Sequence, residues 1–184
     1  MKIEETKLKG CFLINPKVFE DDRGYFFESF NQREFENAIG QHTNFVQDNQ
    51  SQSSYGVIRG LHLQVGEMAQ AKLIRVIQGE ILDVIVDTRK NSSTYGQHAS
   101  FILSEENKQQ LFIPREFAHG FVVLSNIATI HYKADNYYAP NNESGIIYND
   151  SDLNIDWQIP MRDIKTSDKD LLLPTLKEFK NKYA

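Results

Sequence analysis

Aromatic and β-branched residues recur along the chain in short runs: Phe12 to Pro16, Tyr25 to Phe30, Val57 to Leu63, Leu73 to Ile77, Ile81 to Val86, Ala99 to Leu103, Phe121 to Leu124 and Thr129 to Lys133. Gly, Asn, Asp and Pro separate them, so each run reads as a strand. Many short strands in series imply a sandwich or barrel. The stretch from Leu73 to Val86 is apolar on either side of Gly79, which predicts an antiparallel hairpin buried on most of both faces and flanked by other strands. Helical signals are fewer. Asn31 with Glu34 three residues on, then Phe35, Ala38 and Ile39, then Gly40, predicts a helix of about two turns. Ser104-Glu105-Glu106 caps a further turn that ends before Pro114. Ser167-Asp168-Lys169-Asp170 opens like a helix, and Leu176, Phe179 and Tyr183 continue one past Pro174. A jelly roll, two antiparallel sheets enclosing a pocket, is favoured over an immunoglobulin-type sandwich, although periodicity alone leaves that choice open.

Composition narrows the function more than the fold. The 184 residues show no linker, repeat or low-complexity tract, and one domain is expected. Lys and Arg number 20 against 25 Asp and Glu, for a net charge of −5, which argues against nucleic acid. Any phosphate binding must be local. No apolar run approaches the roughly 20 residues that span a bilayer. Cys11 stands alone, so no internal disulfide is possible, and MKIEETKLKG lacks the apolar core of a signal peptide. The cytoplasm is the expected compartment. The sequons at Asn91 and Asn142 then carry no glycosylation.

Candidate chemistry begins with Arg59, His62 and Lys72, which stand among strand residues. A cation, an imidazole and an amine on a rigid sheet can bind an anionic ligand and move a proton beside a carbonyl. Strict alternation places Arg59 and Leu61 on one face and Gly60 and His62 on the other, and only a bulge at Gly60 would unite them. Taken alone, His62 reads first as a hydrogen-bonded, partly buried histidine, and only its neighbourhood raises the functional reading. A metal site would need more: His62-Leu63-Gln64 puts an amide where a second imidazole is wanted, and only His119 and His131 remain to contribute, so no metal is expected. His42 and His98 sit in polar surroundings and read as surface residues. Asp170 occupies the acid position of a capping box, Arg23 a turn after two acidic neighbours, and Lys72 a solvated strand edge. Tyr132 reads as a core aromatic whose hydroxyl needs a partner. Tyr137 and Tyr138 are ambiguous in the same way.

Read together, the blocks FEDDRGYFFESFN, FVQDNQSQS, VIRGLHLQ, QAKLIRVIQGEILDVIVDTRK, YGQ, LSEENKQQLFIP, FAHGFVVLS, YKADNYYAP, NESGI and SDKD resemble the dTDP-4-dehydrorhamnose 3,5-epimerase family, from Phe12 to Pro174. The resemblance implies a mainly all-β, cupin-type double-sheet jelly roll that uses no metal or other cofactor. It implies a homodimer whose pocket takes a thymidine diphosphate 4-keto-6-deoxy sugar. Position by position, it implies that His62 is the general base, Asp170 the carboxylate bonded to it, Tyr132 the proton donor on the opposite face and Lys72 the group beside the keto oxygen. Arg23 and Arg59 would face the diphosphate. Glu28, Gln47, Asp48, Asn49, His119, Glu143 and Lys169 would line nucleotide and sugar contacts, with Tyr138 a further pocket residue.

Physical chemistry accommodates those roles. Protons at C3 and C5 of a 4-keto sugar lie α to the carbonyl, so removing either leaves an enolate whose charge rests mostly on one oxygen. An ammonium beside that oxygen supplies charge where charge develops, and an imidazole with an ordinary pKa near 6.5 both takes and releases a proton. Three positions depart from the family. Leu63 stands where an aromatic is usual, predicting altered packing on the sugar. His98 follows Tyr95-Gly96-Gln97 where tryptophan is common. Glu116 replaces the glycine of Pro-x-Gly-Phe-Ala-His, predicting either a changed loop or a non-glycine residue at positive φ.

Overall fold

Two antiparallel sheets lie face to face, and the cavity between them is the reason the fold matters. A computed structural model describes residues 1–183. Its strands are β1 (Lys2–Glu5), β2 (Phe12–Asn15), β3 (Phe19–Asp21), β4 (Gly24–Phe26), β5 (Gln47–Ser54), β6 (Ile58–Gln64) and β7 (Lys72–Gln78), followed by β8 (Glu80–Asp87), β9 (His98–Ser104), β10 (Gln110–Ile113), β11 (Phe117–Val123), β12 (Ile127–Ala134) and β13 (Glu143–Gly145). One sheet has the order β1-β2-β10-β7-β12-β5, the other β13-β6-β11-β8-β9, while β3 and β4 form a separate ribbon. The expected double-sheet jelly roll is the architecture observed.

Three apolar clusters hold it. Between the sheets pack Ile74, Val76, Ile81, Ile85, Phe117, Phe121, Ala128 and Ile130. Behind the five-stranded sheet, Leu61, Leu63, Leu82, Val84 and Val122 meet Ile146, Tyr148, Leu153, Trp157 and Phe179 from the C-terminal third. Behind the six-stranded sheet, helix α1 (Gln32–Ile39) lays Phe35 and Ile39 on Ile14, Leu73 and Phe112. The helix begins and ends as its sequence dictates: the Asn31 side chain accepts from the Glu34 amide, and Gly40 closes it at φ 70°. Two C-terminal helices follow, α2 (Asp168–Leu171) and α3 (Leu176–Tyr183), on either side of Pro174. No helix among the described residues is long and apolar enough to cross a membrane.

Three expectations need correction, and one strand comes unannounced. Leu73 to Val86 is no hairpin: β7 pairs with β10 and β12, and β8 with β11 and β9, in opposite sheets. Gly79, at φ 78°, carries the chain across, and a Cβ there would lie 2.1 Å from the Ile127 carbonyl oxygen. Both runs are apolar on two faces because each is an interior strand of its own sheet. Strand β5, QDNQSQSS, was invisible to hydrophobic patterning because neither of its faces is apolar. The Ser104 turn forms no helix; Ser104 and Asn107 exchange side-chain to backbone bonds and the chain proceeds into β10. His98 opens β9 half-buried rather than at the surface, whereas the His42 side chain is exposed.

Candidate active site

Strand β6 breaks its own alternation. Arg59 lies opposite Phe121 and His62 opposite His119, so β6 spends one residue more than β11 over the same span. This is the bulge at Gly60 that the sequence left open. Gly60 sits at φ 131°, its bond to Leu61 is cis, and a Cβ would fall 2.5 Å from the Gly120 Cα. Only glycine permits that approach. The bulge re-aims the strand so that Arg59 and His62 line the same cavity.

That cavity, of about 530 Å³, receives side chains from both sheets. The five-stranded sheet supplies Arg59, His62, His119 and Phe121; the six-stranded sheet supplies Ser51, Lys72, Ile130 and Tyr132; the C-terminal segment closes it with Lys169 and Asp170. Base and donor candidates thus stand on opposing walls.

His62 Nε2 and Asp170 Oδ1 are 2.7 Å apart, and Asp170 is buried. The bland reading of Asp170 holds only by half. Its backbone amide donates to the Ser167 hydroxyl that caps α2, but its carboxylate turns to His62 instead of closing a capping box. Burial alone would raise the Asp170 carboxyl; the hydrogen bond and charge of His62, the Gly60 amide and the Ser167 contact outweigh it and hold it below the usual carboxylate range.

Across the cavity, burial draws the Lys72 ammonium down to about 8, against the opposing pull of Asp83 and Glu143. Lys72 is therefore no solvated edge residue. Burial likewise raises the Tyr132 phenol, Glu143 adding to the effect and Arg59 opposing it, so Tyr132 stays protonated at neutral pH. Next to these, His119 Nε2 meets Asp83 Oδ2 at 2.9 Å. Burial lowers His119 despite Asp83, which favours the neutral imidazole. Asp83 escaped sequence reasoning, although a lone acid inside the run ILDVIV was a usable signal: a carboxylate in a doubly buried strand must find a partner.

A chain of hydrogen bonds extends from cavity-lining Lys169. Lys169 Nζ lies 2.6 Å from Glu143 Oε2, which also accepts from the Tyr138 hydroxyl at 2.8 Å. The Tyr138 amide donates to Gln47, and Gln47 donates to Asn49. The buried Asn49 Nδ2, on the inward face of β5, has no partner among the described residues. Lys169 and Tyr138 together hold Glu143 ionised below its ordinary value, although burial works the other way.

Three assigned site residues, and the Leu63 departure, fall outside both the cavity and this chain of hydrogen bonds. Asp48, one step from Asn49, faces away from the cavity and pairs with Lys133 at 3.0 Å. Arg23 is exposed at the turn of the β3–β4 ribbon, paired with Asp21 at 2.6 Å, and does not line this cavity. Glu28 is exposed beyond that ribbon. Leu63 alternates with His62 and packs behind the sheet, so its departure from an aromatic cannot touch the sugar. Glu116 stands at positive φ, 64°, as a non-glycine residue, and its carbonyl accepts from the Thr88 amide and hydroxyl. Among the described residues, no three His, Cys, Asp or Glu side chains gather as metal ligands.

Comparison with known proteins places the chain in a family. A profile of the family dTDP-4-dehydrorhamnose 3,5-epimerase matches residues 5–178. The Salmonella typhimurium enzyme of that name is 50% identical over 179 residues, 96% of each chain. The crystal structure of the dTDP-4-dehydrorhamnose 3,5-epimerase from Elizabethkingia anophelis superposes with a TM-score of 0.93 at 53% identity, covering 97% of both chains. A Legionella pneumophila 3,5-epimerase in complex with dTDP-4-keto-L-rhamnose gives 0.94 at 43% identity, over 98% of this chain and 95% of that one. Family profile, sequence identity and fold coincide, and the chain belongs to the dTDP-4-dehydrorhamnose 3,5-epimerase family.

Proposed function

We propose that the chain epimerises dTDP-4-dehydro-6-deoxy-D-glucose at C3 and C5 to dTDP-4-dehydro-L-rhamnose, through one jelly-roll domain and without a cofactor. His62 takes the proton from the carbon beside the ketone, and Asp170 fixes the imidazole tautomer and steadies its positive form. The electron pair moves onto the keto oxygen, where the Lys72 ammonium meets it. Tyr132 gives a proton to the opposite face of the same carbon, and solvent restores Tyr132 and relieves His62. Arg59 holds the diphosphate, so one base reaches both carbons in turn with little repositioning. Gln47, Asn49, His119, Tyr138, Glu143 and Lys169 bind nucleotide and sugar.

One observation carries this reading: the His62–Asp170 pair shares a single cavity with Tyr132 and Lys72, which rise from the facing sheet. Inversion needs a base and an acid on opposite sides of one carbon, and two facing sheets supply opposite sides. The reading extends to a homodimer in the cytoplasm. Phe19, Tyr25 and Phe26 are exposed around the β3–β4 ribbon, and this cluster of exposed aromatics, which a second copy would cover, supports the dimer. A dimer that carries Arg23 and Glu28 to the other copy's cavity also reconciles their assigned contacts with their distance from this one.

Incubation with the 4-keto sugar in D₂O, followed by NMR, tests the reaction. Deuterium at both C3 and C5 with the L-rhamno product is the expected result. Label at one carbon makes the chain a single-carbon epimerase, and no label removes the enolate chemistry altogether.

A further inference from the structure

We propose that Ser53 is a positioning residue that acts through Arg59, aiming the guanidinium at the diphosphate; the inference rests on the nucleotide-sugar reading above. Ser53 lies on the inward face of β5, two residues from cavity-lining Ser51, and is buried. Arg59 lies on β6, in the facing sheet. Its Nε donates to the Ser53 hydroxyl at 2.9 Å, the one side-chain hydrogen bond of Arg59 among the described residues.

The contrast with other arginines gives this bond its meaning. Arg23, Arg89 and Arg115 each point a nitrogen at an aspartate. Arg59 has no such carboxylate among the described residues. A neutral hydroxyl takes only Nε and leaves both terminal nitrogens, the fork that grips phosphate oxygens in pairs. A long side chain otherwise loses its freedom when the ligand arrives; Ser53 imposes that loss during folding, before binding. Ser53 also sits in a strand with no apolar face, so packing does not account for its place.

The test is a double-mutant cycle on the full chain: wild type, Ser53→Ala, Arg59→Ala and both together, with Ser53→Thr as the conservative variant. Affinity for thymidine diphosphate and for thymidine is measured by calorimetry, and KM and kcat with the keto sugar. Ser53→Ala is expected to weaken thymidine diphosphate binding by about tenfold and to raise KM in step, with kcat and thymidine binding unchanged. Ser53→Thr restores binding, and Ser53→Ala has no further effect once Arg59 is alanine. An unchanged affinity in Ser53→Ala overturns the inference, as does the same loss in the Arg59→Ala background or an equal loss of thymidine binding. If the wild type itself does not bind thymidine diphosphate, the functional reading fails first and the inference with it.

Discussion

His62 and Asp170 are separated by 108 residues of chain yet meet at 2.7 Å, because α2 is capped by Ser167 in the one orientation that turns the Asp170 carboxylate toward β6. The helix is a single turn; its cap therefore governs a catalytic distance. Asp170→Asn keeps the shape and removes the charge that fixes the His62 tautomer. A fall in kcat of about 10²–10⁴ is expected, with thymidine diphosphate affinity retained. Steady-state rates within tenfold of wild type would show that the Asp170 charge does not serve the base.

Lys72 ties stability to activity. Its amine titrates at about 8 in the folded protein and at 10.5 in the unfolded chain, so between those values the unfolded state binds more protons and this site's contribution to stability rises with pH. Below pH 8 the fold carries a poorly solvated charge. Lys72→Met is expected to stabilise the protein at pH 7 by about 1–3 kcal/mol, to lose that advantage near pH 10.5, and to lower kcat by about 10²–10³. Melting curves at both pH values and turnover at pH 7 check this. A less stable Lys72→Met at pH 7 would contradict the buried charge.

Tyr132 separates proton removal from proton delivery. Tyr132→Phe leaves His62 in place, so the substrate is expected to exchange its α-hydrogen with D₂O while little inverted product appears. NMR of recovered substrate decides it. Undiminished epimerisation would place the donor elsewhere, and loss of exchange as well would mean that Tyr132 serves the enolate rather than its reprotonation.

What the sequence made legible, and what it hid, follow one physical line. Apolar runs announced β6, β8 and β12 because their side chains fill the space between sheets or behind them, and Asn31, Glu34 and Gly40 announced α1 because caps are local. Pairing partners are not local. Leu73–Ile77 and Ile81–Val86 looked like a hairpin because nothing in two doubly apolar runs says that Gly79 sends them to different sheets. Strand β5 was hidden by its function: Ser51 lines the cavity, and Asn49 and Ser53 spend the inward face on polar groups where a core strand would place valine or isoleucine. With β5 unseen, the alternation that separates inward Asn49 from outward Asp48 was unseen too. His62, Lys72, Tyr132 and Asp170 were each ambiguous alone and became recognisable only as members of ten ordered blocks. The Gly60 bulge, which gives Arg59 and His62 a shared cavity, depends on the close approach of Gly120 from β11, a contact between residues distant in the chain.

The most direct test replaces the base. In His62→Asn, thymidine diphosphate affinity and the transfer of deuterium from D₂O to C3 and C5 of the keto sugar are measured side by side. Wild-type affinity with deuterium exchange reduced at least about a thousandfold at both carbons is the expected result. Exchange at the wild-type rate, with the nucleotide still bound, would contradict the assignment of His62 as the group that removes the protons.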